Sequence, residues 1–203
     1  MITVAGGGAD DLGRIFYFAE FAVAVAGWAL EINPFDQPNV QEAKDKTNAV
    51  LAADQPPTVE PADDERLAAL LAGAEPPHYV AILGYLQPSA EFDAAVDELR
   101  TTIRDATRAT TTFGYGPRFQ HSTGQYHKGG PKTGIFLQLI HDGGEDVPIP
   151  GAPYTFDQLK EGAATGDVLT LRDHGLPAER IRLQGDPVAA LRELTAKIAG
   201  TVG

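Results

Sequence analysis

Residues 79–115 read YVAILGYLQPSAEFDAAVDELRTTIRDATRATTTFGY, and the order of patterns inside them decides the fold. Tyr79 to Leu86 is an unbroken apolar run of strand length, the composition of a strand covered on both faces. Gln87-Pro88 ends it. Ser89 then stands where a helix N-cap belongs, and Phe92, Val96, Leu99 and Ile103 recur at helical spacing to about Arg108. Thr110 to Tyr115 follows as a second strand. Strand, helix, strand in so short a span predicts parallel strands joined by a crossover.

The same alternation continues downstream. Phe119 to His127 reads as helical and Gly134 to Ile140 (GIFLQLI) as another buried strand. Residues 143–153 form a loop rich in Gly and Pro. Thr155 starts a helix to about Thr165, Arg180 to Leu183 is a last strand, and Asp186-Pro187 opens a closing helix to Ala199. With a short helix from Asp64 to Ala72, residues 64–203 are expected to form an α/β domain, a mostly parallel sheet with helices on both faces.

Upstream, residues 54–63 (DQPPTVEPAD) combine proline and acid without apolar period and read as a linker. Residues 1–53 read as an N-terminal helical arm. MITVA at 1–5 suits a short strand, and Gly6 to Gly8 break it. Asp10 or Asp11 can cap a helix to about Leu30, apolar nearly all round through Phe16, Phe18, Phe21 and Trp28. Such a helix needs burial on most sides, so its partner surface lies elsewhere in the chain or outside it. Asn33-Pro34-Phe35-Asp36 is a turn, and a second helix capped by Asp36 or Gln37 runs to about Leu51.

Composition narrows the function classes. The 203 residues carry a formal net charge of −12 and no cysteine. Disulfides and thiolate metal sites are excluded, and so acidic a chain repels nucleic acid and anionic lipid. The apolar run Ile15–Leu30 is shorter than the ~20 residues that span a bilayer, and Glu20 interrupts it. No basic start precedes it as a secretory signal would require. The expectation is a cytoplasmic protein with neither nucleic-acid nor membrane partner.

Two segments carry chemistry. In the first, Ile32-Asn33-Pro34-Phe35-Asp36-Gln37-Pro38-Asn39-Val40 precedes Lys44. Gln37 and Lys44 are seven apart, which on a helix puts them on one face about two turns apart. A phosphate could sit at Gln37, at a helix N-terminus, while the Lys44 ammonium reaches a sugar hydroxyl; a capped amphipathic helix with a surface lysine fits the same spacing. In the second, Phe113 to Pro131 gathers Arg118, His121, Gln125, His127 and Lys128, with Lys132 just beyond, after a strand. That suits an anion site beyond a strand's carboxyl end, or a hydrogen-bonded structural loop. Gly124 to Gly129 has P-loop glycine spacing, but Gly130 and Pro131 stand where Lys and Ser or Thr are needed. His121 and His127 are six apart and lack a third ligand nearby, so no metal is expected.

The run Asn33 to Val40 with Lys44 resembles the signature near the C-terminus of phosphoglucose isomerases (glucose-6-phosphate isomerases). It departs in Gln41, where Glu is usual, and Ala43, where Gly is usual. The resemblance implies a phosphate-binding role for Gln37 and a ring-opening role for Lys44. The run from Tyr115 to Gly134, and Asp146 to Phe156, resemble the isomerase portion of fused transaldolase/isomerases, with Tyr126 and Lys132 where Leu and Asn are usual. On that view the likeness extends from about Leu12 to the last helix. It implies a phosphorylated hexose as substrate, no cofactor, and a catalytic glutamate and Ser/Thr-rich phosphate loop on preceding sugar-isomerase domains that have no counterpart here. The chain would then be inactive alone, with Lys44 catalytic and Arg118, His121, Gln125, His127 and Lys128 as candidate substrate contacts. A homodimer is also allowed. The alternatives are a non-catalytic docking or oligomerisation module and an independent anion-binding domain.

Overall fold

A computed structural model describes residues 6–202, with side chains to residue 200; the expected strand at 1–5 lies outside the described residues. The chain divides into two compact units, residues 1–37 and 38–203.

In the first unit, helix α1 (Asp11–Leu30) ends with Glu31 in the left-handed region at φ 55°. The Asp11 carboxylate accepts from the Gly7 N–H at 2.6 Å. The chain then doubles back so closely that a Cβ on Gly27 would lie 2.6 Å from the Pro34 ring, and Gly27 is the one buried residue of the helix. Phe16, Tyr17, Phe18, Phe21, Trp28 and Leu30 are all exposed. The helix begins at Asp11, ahead of the apolar run that starts at Ile15, and has 20 residues. By length and composition it could cross a membrane, a property that core helices and signal sequences share.

The second unit holds four parallel strands in the order β2-β1-β3-β4: β1 Tyr79–Tyr85, β2 Thr110–Tyr115, β3 Gly134–His141 and β4 Ala178–Leu183. The alternation of side chains across the pleat separates two cores. Val80, Ile82, Ile135, Leu137 and Leu139 face α3 (Asp64–Ala72), α4 (Ala90–Thr107) and α7 (Pro187–Val202), in an entirely apolar layer. Ala81, Leu83, Tyr85, Phe136 and Ile140 face α6 (Phe156–Asp173) and Phe119, which lies in a 3-10 turn (Arg118–His121). The expected α/β class with helices on both faces is therefore observed. Three caps read from sequence hold: Ser89 accepts from the Phe92 N–H at 3.1 Å, Thr155 with Gln158 forms a capping box, and Asp186 accepts from the Ala189 N–H at 2.8 Å, whereas Asp10 makes no side-chain bond at the start of α1.

One helix runs well past its expected limit. The helix expected to stop near Thr165 runs on to Asp173, because Gly166 is a contact surface rather than a terminus. Helix α2 (Pro38–Ala52) packs along α6 as an outer layer, and so belongs to the α/β unit. The proline-rich 54–63 segment lies against that unit: Val59 is buried and the Ala62 N–H donates to the Arg180 carbonyl at 2.7 Å, on the outer edge of β4.

Candidate functional site

Helix α2 is set by α6. A Cβ on Gly162 would lie 2.9 Å from Leu51 Cδ2, and one on Gly166 would lie 2.9 Å from the Thr47 backbone nitrogen. Two absent side chains thus let the helices approach almost backbone to backbone, with Val40, Ala43 and Val50 buried between them and their surroundings. Lys44 lies on the exposed side of α2 and, among the described residues, makes no ion pair or hydrogen bond. Cavities of about 670, 730 and 340 Å³ are present, and Lys44 lines none of them. Gln37 is exposed at the end of the first unit, immediately before the helix rather than within it.

The second segment starts at the carboxyl end of β2, where the Gly116 N–H donates to the Gly84 carbonyl at 2.8 Å. Its short helix α5 (Gly124–Gly129) then splits the candidate residues into two sets. Arg118 and His121 are exposed. Gln125, half-buried, is bonded to Asn39 of α2 through both atoms of its amide. His127 and Lys128 are inside. The Lys128 ammonium meets Asp167 Oδ1 at 2.6 Å, the two side chains being 1% and 0% exposed, so neither offers a surface to a ligand in this unit. Tyr85 donates to the other Asp167 oxygen at 3.3 Å and accepts from Gln120 at 3.1 Å. Burial first, then the Asp167 charge, pushes the Tyr85 phenol far up, which keeps its proton on as a donor. Beside this set, Arg180, 1% exposed, donates to Gln138 at 2.8 Å, Glu161 at 2.7 Å and Thr165 at 3.2 Å. The second core layer is thus partly ionic, with each of these charges paired as a dry site requires.

His127 sits among the rings of Tyr79, Phe119 and Phe136, centroids 5.9, 6.1 and 5.3 Å away, and its Nδ1 has no partner. Burial, then the Lys128 charge, pulls its pKa from the usual 6.5 down to about 4. The unfolded chain takes up a proton below about 6.5 while the folded chain does not until about 4, so stability is full above that window and falls as pH drops through it. The loss between pH 6.5 and 5 is expected to be about 2 kcal/mol. Urea midpoints at pH 7, 6 and 5 should show it, and His127→Phe should remove most of that slope.

Among the described residues, no group of three or more His, Asp or Glu could hold a metal ion. Sequence reading missed Asn39, Glu42, His174, Asp167 and the two packing glycines. A lone acid in the apolar stretch from Ala163 to Leu171 was the available signal for Asp167; the others pair across distances that no local pattern reports.

No family model matches the chain. The glucose-6-phosphate isomerase of Leptospira biflexa is 44% identical over 50 residues, and that of Heliobacterium modesticaldum 45% over 51, each a quarter of this chain. The isomerase of Fusobacterium nucleatum is 46% identical over 43 residues, or 21% of the chain. Part of this chain is isomerase-like. The matched stretch spans about a tenth of each relative, 11%, 11% and 10%. It is also much shorter than the nearly chain-long likeness expected from the motifs. A hypothetical protein from Thermus thermophilus aligns over 82% of this chain and 44% of its own, at TM-score 0.52 and 20% identity, which concerns the fold alone.

Proposed function

We propose that this chain is the C-terminal portion of a glucose-6-phosphate isomerase of the transaldolase-fused type, completed in the cytoplasm by preceding sugar-isomerase domains. The observation that carries the reading is the 44–46% identity to curated isomerases over a short stretch. The fusion rests on the Tyr115–Gly134 and Asp146–Phe156 runs alone.

In this reading, Lys44 presents an ammonium donor to the ring oxygen as the C1–O5 bond of the hexose opens, and Gln37 holds the phosphate. A carboxylate on the completing domain then moves a proton between C2 and C1 through an enediolate. An exposed lysine without an ion pair suits that role, because a partner ammonium already neutralised by a carboxylate would be a weaker acid and less free to move. Arg118 and His121 remain candidates for substrate contact on the same surface-exposed footing.

The test supplies the preceding region and couples fructose-6-phosphate formation to a reporter. Activity should appear only with both parts, and Lys44→Ala should lower kcat by about a hundredfold. Activity indifferent to Lys44 overturns the reading. The exposed aromatic face of α1 favours a second one, a docking or oligomerisation module, possible as a homodimer. Restored activity that survives Lys44→Ala but requires α1 would select it. Tight phosphosugar binding by the chain alone would favour an independent anion-binding domain.

A further inference from the structure

The Lys44 end of α2 is fastened by groups distant in sequence. The first-turn N–H of Asn39, which no residue of its own helix can accept, donates to Gln125 Oε1 at 3.0 Å. Gln125 Nε2 returns a bond to Asn39 Oδ1 at 2.7 Å. One primary amide therefore satisfies a backbone donor and a side-chain acceptor together. Room for it comes from Gly129, where a Cβ would collide with Asn39 Oδ1 and approach Gln125 Nε2 to 2.5 Å. One turn along, Glu42 Oε2 pairs with His174 Nε2 at 2.8 Å, a contact that holds the Glu42 carboxyl below its ordinary range. Lys46 pairs with Asp173 beyond it. The four contacts grip α2 on both sides of Lys44.

We propose that Gln125 is a positioning residue for Lys44: the clamp fixes the rotation of α2 about its own axis, and that is what the unusual Gly124–Gly129 segment is for. The inference rests on the reading of Lys44 as the ring-opening group. An ammonium carried about 5–6 Å from a helix axis moves about 2 Å when the helix turns by about 20°. Misplacements of about 1 Å at a reacting centre can cost about a hundredfold in rate.

The experiment uses the chain together with the sugar-isomerase region that completes it, and compares Lys44→Ala, Gln125→Ala, Gln125→Glu and the Lys44→Ala/Gln125→Ala pair. Gln125→Ala should lower kcat about tenfold with KM within about twofold. Gln125→Glu, which still accepts from the Asn39 N–H but cannot donate to its Oδ1, should fall between. In the Lys44→Ala background the second substitution should change kcat no further, because the group it aims is gone; a merely structural role would lower it again. If Lys44→Ala alone has no effect, the functional reading fails and the inference with it. If Lys44→Ala is crippling while Gln125→Ala is neutral, or multiplies with it in full, the reading stands and the inference is overturned. Should Gln125→Ala melt early, Gln125→Glu carries the same comparison.

Discussion

Asp167→Ala is expected to destabilise the α/β unit by about 3–5 kcal/mol, a large share of the roughly 5–15 kcal/mol that holds a domain folded. The substitution removes more than one attraction. It leaves the Lys128 ammonium, 1% exposed, without a counter-charge, and it takes the acceptor away from the buried Tyr85 hydroxyl. Neither can turn to water, since Tyr85 is fully buried against Phe119. Replacing both charges tests the cause. Lys128→Met/Asp167→Leu keeps the volume and deletes the stranded charge, so it should recover most of the loss. Denaturant titration of the chain and its variants reads both outcomes. A loss under about 1 kcal/mol in Asp167→Ala would mean that water reaches the pair.

The second large effect belongs to Gly166→Val. Its Cβ would meet Thr47 Oγ1 at 2.8 Å, Thr47 N at 2.9 Å and Thr47 Cα at 3.2 Å. A hydroxyl can rotate away, but a backbone nitrogen and a Cα move only if the whole helix moves. Overpacking of this kind costs about 1–3 kcal/mol, and here it should act mainly by lifting α2 from α6. Amide exchange across Pro38–Ala52 should therefore accelerate before that of the strands. Gly200→Ala is the matched control, because a Cβ there meets nothing within 4 Å. In the last turn of α7 it should be neutral or stabilising by less than about 1 kcal/mol. Equal effects at the two positions would remove close approach as the explanation.

These cases mark what the sequence could disclose. Helix α4 was legible because Phe92, Val96, Leu99 and Ile103 repeat with the helix period and Ser89 caps them locally. The two central strands were legible because β1 is an unbroken apolar run of seven residues and β3 is apolar but for Gln138 and its last residue, which fits a sheet covered on both sides. The reach of α6 past Thr165 was not legible, because the side chain missing at Gly166 is replaced by Thr47 of another helix. The proline-rich segment read as a boundary because composition reports flexibility of the free chain. It says nothing of Val59 finding a buried seat or of Ala62 reaching the edge of β4. At the candidate site, Lys44 was singled out by a local run of residues, and the structure places it on the exposed side of α2. The clamp was not legible, since Gln125 and Asn39 are 86 positions apart. Lys128 read as a candidate substrate contact, but it is buried against Asp167, a pairing across 39 positions that no local pattern reports.

The α/β unit has a definite structural starting point at Pro38. A gene divided within the proline-rich stretch would part α6 from the helix that fills its glycine hollow, and the exposed trough would invite misassembly. A division just ahead of Pro38 keeps lid and trough on one transcript. Shuffling of the α/β unit into new proteins would therefore carry the Lys44 helix along as a passenger, whatever chemistry it met there.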